Sequence, residues 1–572
     1  MMMHRKCGGT EPGANTKMEG KTPMKKLFCI VLALAMMLSF GSMAAAETTA
    51  EPVKGTTLFA CDENGVPDLG GVTLKIWLPM DSDYASFASS YNDFAIVKEM
   101  EKLMNVDLEF ICPSADDVAT SFSLMISDPS DLPDIIMKGA VDSYYPGGVA
   151  MAYADGFLAD YSDIVNADTT PNYWSTVMDV PYLAAGAVDD AGRNMRLGCM
   201  VSGSQTSNTC MWGLMIRSDY LKAAGLEVPT TIDDWTEMLR AFKANGVKYP
   251  LALNKSGYWK SRNAFSCAWN IDARNFYIRQ DNHEVAYGPA SPEYKDYLAT
   301  LNMWYSEGLI NPDFMTDTSN ESWSMIANGD AGAICNHTVG YTANYYNVVE
   351  KDNPDAALVA AQMPKLNDSD DLTHVMYTSY RLDIGNAKYI VSTTEHLNEC
   401  IAFLDALHNP TINYLNTYGI KDIAYSINEY GYPQYNDMSE ASTEDKLCQY
   451  IWELDGTSDS DVDYIKTSKY CYGVQPQTID LYTQCGYDGI FPDFAVTFTD
   501  EEAEVISKYK TDVETYRDEM MLKFITGIES LDGFDSYVET LNNMGLTQLT
   551  EVYQAAYSRY QARAEKLNGL EQ

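Results

Sequence analysis

VTLKIWL, at residues 72–78, is the stretch whose reading decides the fold. Apolar residues alternate with shorter or polar ones and the run halts at Pro79, which reads as a strand. Helical spacing follows: Phe94, Val97, Met100, Leu103 and Met104 share one stripe of a helix over roughly residues 91–104. Residues 106–112 read as a second strand, residues near 116–127 as a second helix, and Asp134-Ile135-Ile136-Met137 as a short buried third strand. Strands alternating with helices imply a parallel sheet with right-handed crossovers. Ligands of such sheets lie beyond the carboxyl ends of the strands, so loops 80–84 and 138–145 form a functional rim.

Further along, the alternation starts again. Residues 211–217 read as a strand, and Thr231 with Asp234 forms a capping-box-like start to a helix. That helix buries Trp235, Met238, Leu239 and Phe242, and Gly246 ends it. A strand at 250–254, helices at about 292–307 and 321–328, and a strand at 331–336 complete a second α/β pattern. A crossing segment near 357–364 then leads to a strand at 389–392 and a helix at 396–407, read as a return to the first lobe. The C-terminal part is helical: Thr499 with Glu502 caps a helix to about Phe524, Ser530 caps the next, and a last one carries Leu549, Val552, Tyr553 and Ala556.

Toward the N-terminus, residues 24–46 read MKKLFCIVLALAMMLSFGSMAAA. Two lysines, an apolar run of about fourteen residues and small residues before a polar segment make a secretory signal peptide. The run is short for a membrane span, which needs roughly 20 apolar residues. Residues 1–23 read as an over-extended frame before Met24, and 47–70 as a polar tether. The protein is therefore expected to be exported, extracellular or attached to the cell surface. Residues 1–46 hold six Lys/Arg and two Asp/Glu, so the remainder carries 33 basic and 79 acidic side chains, a net charge of −46. That surface repels polyphosphate, and nucleic acid is not an expected partner. About 525 remaining residues call for two or three lobes.

Ten cysteines follow the leader without a CxxC pair or a His-bracketed cluster, so neither a structural zinc site nor any other cofactor is expected. Cys199/Cys210 and Cys471/Cys485 are the nearest pairs for disulfides, and scattered buried thiols are the alternative. No GxSxG, HExxH or P-loop pattern occurs, and the six histidines form no spaced cluster, so an enzyme is not expected.

Several segments resemble family 1 extracellular solute-binding proteins of bacterial ABC importers, the group that includes maltose-binding protein, and within it the long oligosaccharide-binding subgroup. They are VTLKIWLPMDSDYASF, SDLPDIIMKGAVDSYYPGGVAMAYADGFLADYSDIV, MWGLMIRSDYLKAAGLEVPTTIDDWTEMLRAFKANG, YLATLNMWYSEGLINPDFMTDTSNESWSMIANGDAGAICNH and VTFTDEEAEVISKYKTDVETYRDEMMLKFITGIESLDGFDSYVETLNNMGL. The resemblance implies a two-lobed periplasmic-binding-protein-like α/β fold of type II with a helical C-terminal part. The first lobe would comprise residues 71–185 and about 365–410, the second about 186–356 and 411–572. It also implies an oligosaccharide ligand gripped between the lobes, an ABC permease as partner, and a monomer. Relatives often carry a lipobox cysteine and a calcium loop. Here residues 44–46 hold no cysteine, Cys29 lies inside the apolar run, and the 243–248 link is too short for that loop, so no metal is expected.

By the same resemblance, Asp81, Asp83 and Tyr84 match a sugar-contacting loop, while Tyr258, Trp259 and Tyr341 follow strands where relatives place rings. Tyr144 and Tyr145 follow the third strand; Trp269 and Arg381 complete the candidate ligand-binding set. A solvated turn, core packing or a structural ion pair is the bland alternative at each. Trp323, beside Met325 and Ile326 on a helix, reads as core. Rival functions are a secreted polysaccharide-degrading enzyme and a binding protein for peptide or another small polar solute.

Overall fold

In chain order the strands are β1 (Val72–Trp77), β2 (Val106–Ile111), β3 (Ile135–Ile136), β4 (Met200–Ser202), β5 (Trp212–Arg217), β6 (Tyr249–Ala252) and β7 (Phe276–Ile278). β8 (Val285–Tyr287), β9 (Ala331–His337), β10 (Leu358–Ala361), β11 (Arg381–Asp383), β12 (Tyr389–Ile390), β13 (Tyr425–Ile427) and β14 (Pro433–Tyr435) follow. The computed structural model describes residues 53–114, 117–194, 196–197, 200–202, 212–254, 264–337, 340–371, 381–438, 440–456, 468, 471–482, 489–493 and 495–569. The leader expected at 24–46 lies outside them. Among the described residues no helix is long and apolar enough to cross a membrane.

The first sheet runs β12-β3-β1-β2, with β3, β1 and β2 parallel and β12 antiparallel at the edge. Residues 72–78 earn their central place because Leu74, Ile76, Trp77 and Leu78 are buried. The helix Ala95–Met104 covers the sheet with Ile96, Val97, Met100 and Met104, and Asn105 ends it in a left-handed conformation. Phe94, expected on the same stripe, is buried at the N-cap, whereas Leu103 is only half-buried.

The second sheet runs β10-β5-β9-β6, and in it only β6 and β9 are parallel. A strand-helix alternation says nothing of which strand lies beside which, and β5 pairs antiparallel with both neighbours. Thr231 and Asp234 close a reciprocal capping box on the helix Ile232–Ala244. Trp235 from that helix and Trp304 from Pro292–Ser306 meet Phe265 edge-on at 5.0 and 5.1 Å.

The crossing segment falls elsewhere than at 357–364. β10, at that position, is an edge strand of the second sheet, whereas β4 and β11, which pair with each other, lie in sequence between residues of the first core and residues of the second. Three-residue strands leave too short a pattern to be read locally. The first core gathers residues from Val66 to Leu197 and again from Ala387 to Leu454; the second draws on Leu214 to Met363 and Phe491 to Ala556. Ile412, Ile451 and Leu454 thus pack in the first core, although residues beyond 410 were expected in the second lobe.

Two long C-terminal helices, Asp500–Thr526 and Leu546–Gly569, pack on the second core. The last one also reaches α/β residues of the first: Arg563 donates to the Ala185 carbonyl and, with Arg559, pairs with Asp190. Thr499 accepts from the Glu502 amide at 3.3 Å while Glu502 accepts from Thr499 at 2.9 Å. Thr499→Ala removes that cap and should lower stability by about 1 kcal/mol, read as a lower urea midpoint with an unchanged slope.

Candidate functional site

Where β1 ends, Pro79 and Met80 lead into a one-turn helix, Ser82–Ala85, whose N-cap Asp81 accepts the Asp83 amide at 3.0 Å. Tyr91 braces the loop, its hydroxyl donating to the Pro79 carbonyl and accepting from the Asp81 amide. β3 ends beside it in Lys138 and Gly139, both left-handed at φ 62° and 60°. For lysine that conformation costs on the order of 1 kcal/mol. The Lys138 ammonium bonds Asp81 Oδ2 at 3.3 Å and Glu453 Oε1 at 3.0 Å. The loops that follow β1 and β3 therefore meet through Lys138 and Asp81, joined by one segment from far along the chain.

That segment is 446–453. Trp452 lies under Lys138, whose Nζ is 5.1 Å from the ring centroid. The Trp452 amide hydrogen-bonds Tyr84, and Asn386 Nδ2 donates to the Trp452 carbonyl at 3.2 Å. Tyr450 is backed by Tyr435 at 5.1 Å, part of a tyrosine group with Tyr418. Together with the β1 loop these residues enclose a cavity of about 620 Å³. Phe87, Tyr450 and Trp452 supply ring surface, while Asp83, Ser86, Lys446 and Gln449 supply polar groups. Tyr84 forms part of the wall but is 6% exposed, its ring packed edge-on against Phe87, Tyr91 and Phe94. Burial pushes its hydroxyl far above the ordinary tyrosine range, so it stays protonated.

Glu453 is the most deeply placed charge here, with a side chain 0% exposed. Burial raises its pKa and the Lys138 ammonium pulls it back. Glu453 Oε2 has no hydrogen-bond partner. Sequence reading placed Lys138 in a rim loop without a role and missed Tyr450, Trp452 and Glu453: hydrophobic patterning carried no signal that 446–453 returns to β1.

The remaining candidates are spread out. Tyr144 is 39% exposed, with its ring 6.1 Å from Phe122. Tyr145 packs on Phe157 and donates to Asp155 Oδ2 at 3.1 Å. Trp269 lines a separate cavity of about 380 Å³ near the second core with Arg279, Asp281 and Glu293. Tyr341 stacks on the buried Trp323 at 5.7 Å over a groove of about 280 Å³. Arg381 opens β11, paired with Ser202. Tyr258 and Trp259 lie outside the described residues, as do Cys199, Cys210 and Cys485; Cys471 is a free thiol. Among the described residues no group of three or more His, Cys, Asp or Glu is arranged to hold a metal ion.

A family model for bacterial extracellular solute-binding proteins matches residues 94–412, more than half of the chain. The chain belongs to that family. Like other extracellular solute-binding proteins it has mixed α/β sheets and many helices, the architecture of the two-lobed periplasmic-binding-protein-like fold. The lipoprotein LipO of Bacillus subtilis (strain 168) is 24% identical over 363 residues, 60% of this chain and 69% of that protein. Among solved structures, the alginate-binding protein AlgQ2 without calcium matches with a TM-score of 0.62 at 22% identity, covering 85% of this chain and 98% of its own. A solute-binding protein associated with an HMO-binding ABC transporter from Bifidobacterium longum infantis gives 0.67 at 14%, covering 86% and 99%. FusA of S. pneumoniae, in complex with kestose, gives 0.63 at 18%, with the same coverage. At these identities the likeness is one of fold.

Proposed function

We propose that this solute-binding protein captures an oligosaccharide at the carboxyl edge of its first sheet and delivers it, chemically unchanged, to an ABC permease. The observation that carries the reading is the pairing of Tyr450, Trp452 and Phe87 with Asp83, Gln449 and Ser86 around one cavity. Sugars present apolar C–H faces and a rim of hydroxyls, and this wall offers rings for the first and carboxylate, amide and hydroxyl for the second. The names of the structural relatives, with alginate, HMO and kestose among their ligands, support the same class.

The protein acts outside the cytoplasm as a monomer, and binding free energy favours a closed arrangement of its two α/β halves about the β4–β11 pair. It turns over nothing. Calorimetry against a panel of gluco-, xylo- and fructo-oligosaccharides should give saturable one-to-one binding, with each sugar recovered intact by chromatography. Release of new reducing ends, or no binding anywhere in the panel, would overturn the reading.

A further inference from the structure

Beyond the general sugar-binding reading, on which this inference rests, the charges around the cavity bear on which sugars enter. Lys138 stands at the carboxyl edge where a ligand carboxylate could be met, yet its ammonium is already committed. It bonds Asp81 at 3.3 Å and Glu453 at 3.0 Å, and the Trp452 ring lies 5.1 Å away. Its side chain is only 23% exposed. Asp83, in contrast, lines the cavity and its carboxylate has no hydrogen-bonded protein partner among the described residues. Counting the wall and the groups behind it, Asp81, Asp83 and Glu453 face two ammoniums, Lys138 and Lys446.

We propose that Glu453 and Asp81, by holding Lys138 beside Trp452, make the cavity selective for uncharged oligosaccharides over uronate-containing ones. Glu453 acts through Lys138 and is a positioning residue. A uronate would bring a further carboxylate beside Asp83 while Lys138 is held by Asp81 and Glu453, which leaves Lys446 alone on the wall to meet it, and like-charge juxtaposition is costly. A neutral sugar needs only the rings and the hydroxyl-bonding groups.

The test is calorimetry on the purified full chain with maltotriose, xylotriose and 1-kestose against trigalacturonate and a mannuronate trimer. The wild type should bind one or more neutral trimers at least about tenfold more tightly than either uronate. In Glu453→Gln, Lys138 loses one anionic partner, and in Asp83→Asn the cavity loses its unpaired carboxylate. Each should narrow the neutral-to-uronate ratio several-fold, and the uronate gain should fade in 0.5 M salt. Because the ratio is taken within each variant, an inactive fraction cancels. A wild type that prefers a uronate, or a ratio unmoved in both variants, would overturn the inference alone. Absence of binding to every trimer, neutral or acidic, would overturn the proposed function and this inference with it.

Discussion

Trp452→Ala is expected to weaken oligosaccharide binding roughly 30- to 100-fold, equivalent to about 2–3 kcal/mol. The ring is half-buried and fixed from several sides: its amide by Tyr84, its carbonyl by Asn386 and its face by Lys138. A ring held in place loses little conformational freedom when a sugar settles on it, so most of its contact energy appears as affinity. Truncation removes the surface and leaves Lys138 without its cover. Tyr145→Phe provides the contrast, since it deletes only the hydroxyl that bonds Asp155, away from the cavity, and should leave affinity within about twofold. Equal losses in both variants would mean that the cavity beside β1 is not where the ligand sits. Intrinsic tryptophan fluorescence offers a second reading, because ligand contact should shift the wild-type spectrum and not that of Trp452→Ala.

Local pattern made the elements of the first sheet and several helix starts legible. β1, β2 and β3, the helices between them and the capping boxes at Thr231 and Thr499 are written in spacings of a few residues, and the structure has them. The position of the loop carrying Asp81, Asp83 and Tyr84 was legible because the strand pattern of β1 halts at Pro79. Tyr450 and Trp452 were not. They meet Asp83 across more than 360 residues of sequence, and after the helix Pro410–Tyr418 the described chain up to residue 454 has only two short strands, β13 and β14, and brief helical turns in place of the strand-helix alternation. Lys138 was within the predicted rim but gave no cue of its own. A lysine acquires meaning there only once Asp81 and Glu453 are known to converge on it. The second sheet's antiparallel order was hidden for the same reason, since strand adjacency is a long-range property.

Stability should respond to pH through two buried groups that oppose each other. Asp405, 1% exposed on the helix Leu397–Ala406, accepts the Tyr173 amide and the Asn172 side chain, each at 2.8 Å. Burial pushes its pKa up to about 7 against those hydrogen bonds. His408, 3% exposed, bonds Thr176 through Nδ1 at 2.9 Å, while its Nε2 has no partner. Burial, reinforced by the nearby Lys388 ammonium, lowers its pKa to about 3. With a folded pKa above the unfolded value of about 3.9, Asp405 contributes stability that is full below pH ~4 and lost as pH rises to ~7. His408 has a folded pKa below its unfolded value of about 6.5, so its contribution is full above pH ~6.5 and lost as pH falls to ~3. Between pH ~4 and ~6.5 the native state holds one extra proton at Asp405 and lacks one at His408, and the two slopes cancel. Asp405→Asn removes one slope and should lose stability relative to wild type as pH falls from 6.5 to 4.5. His408→Gln removes the other and should gain over the same interval. Each difference amounts to at most roughly 3 kcal/mol, since one pH unit for one proton is about 1.4 kcal/mol. Urea midpoints at the two pH values read it out, and carboxylates common to all three proteins drop out of the comparison. Three parallel pH profiles would show that neither group keeps its abnormal protonation state in the folded protein.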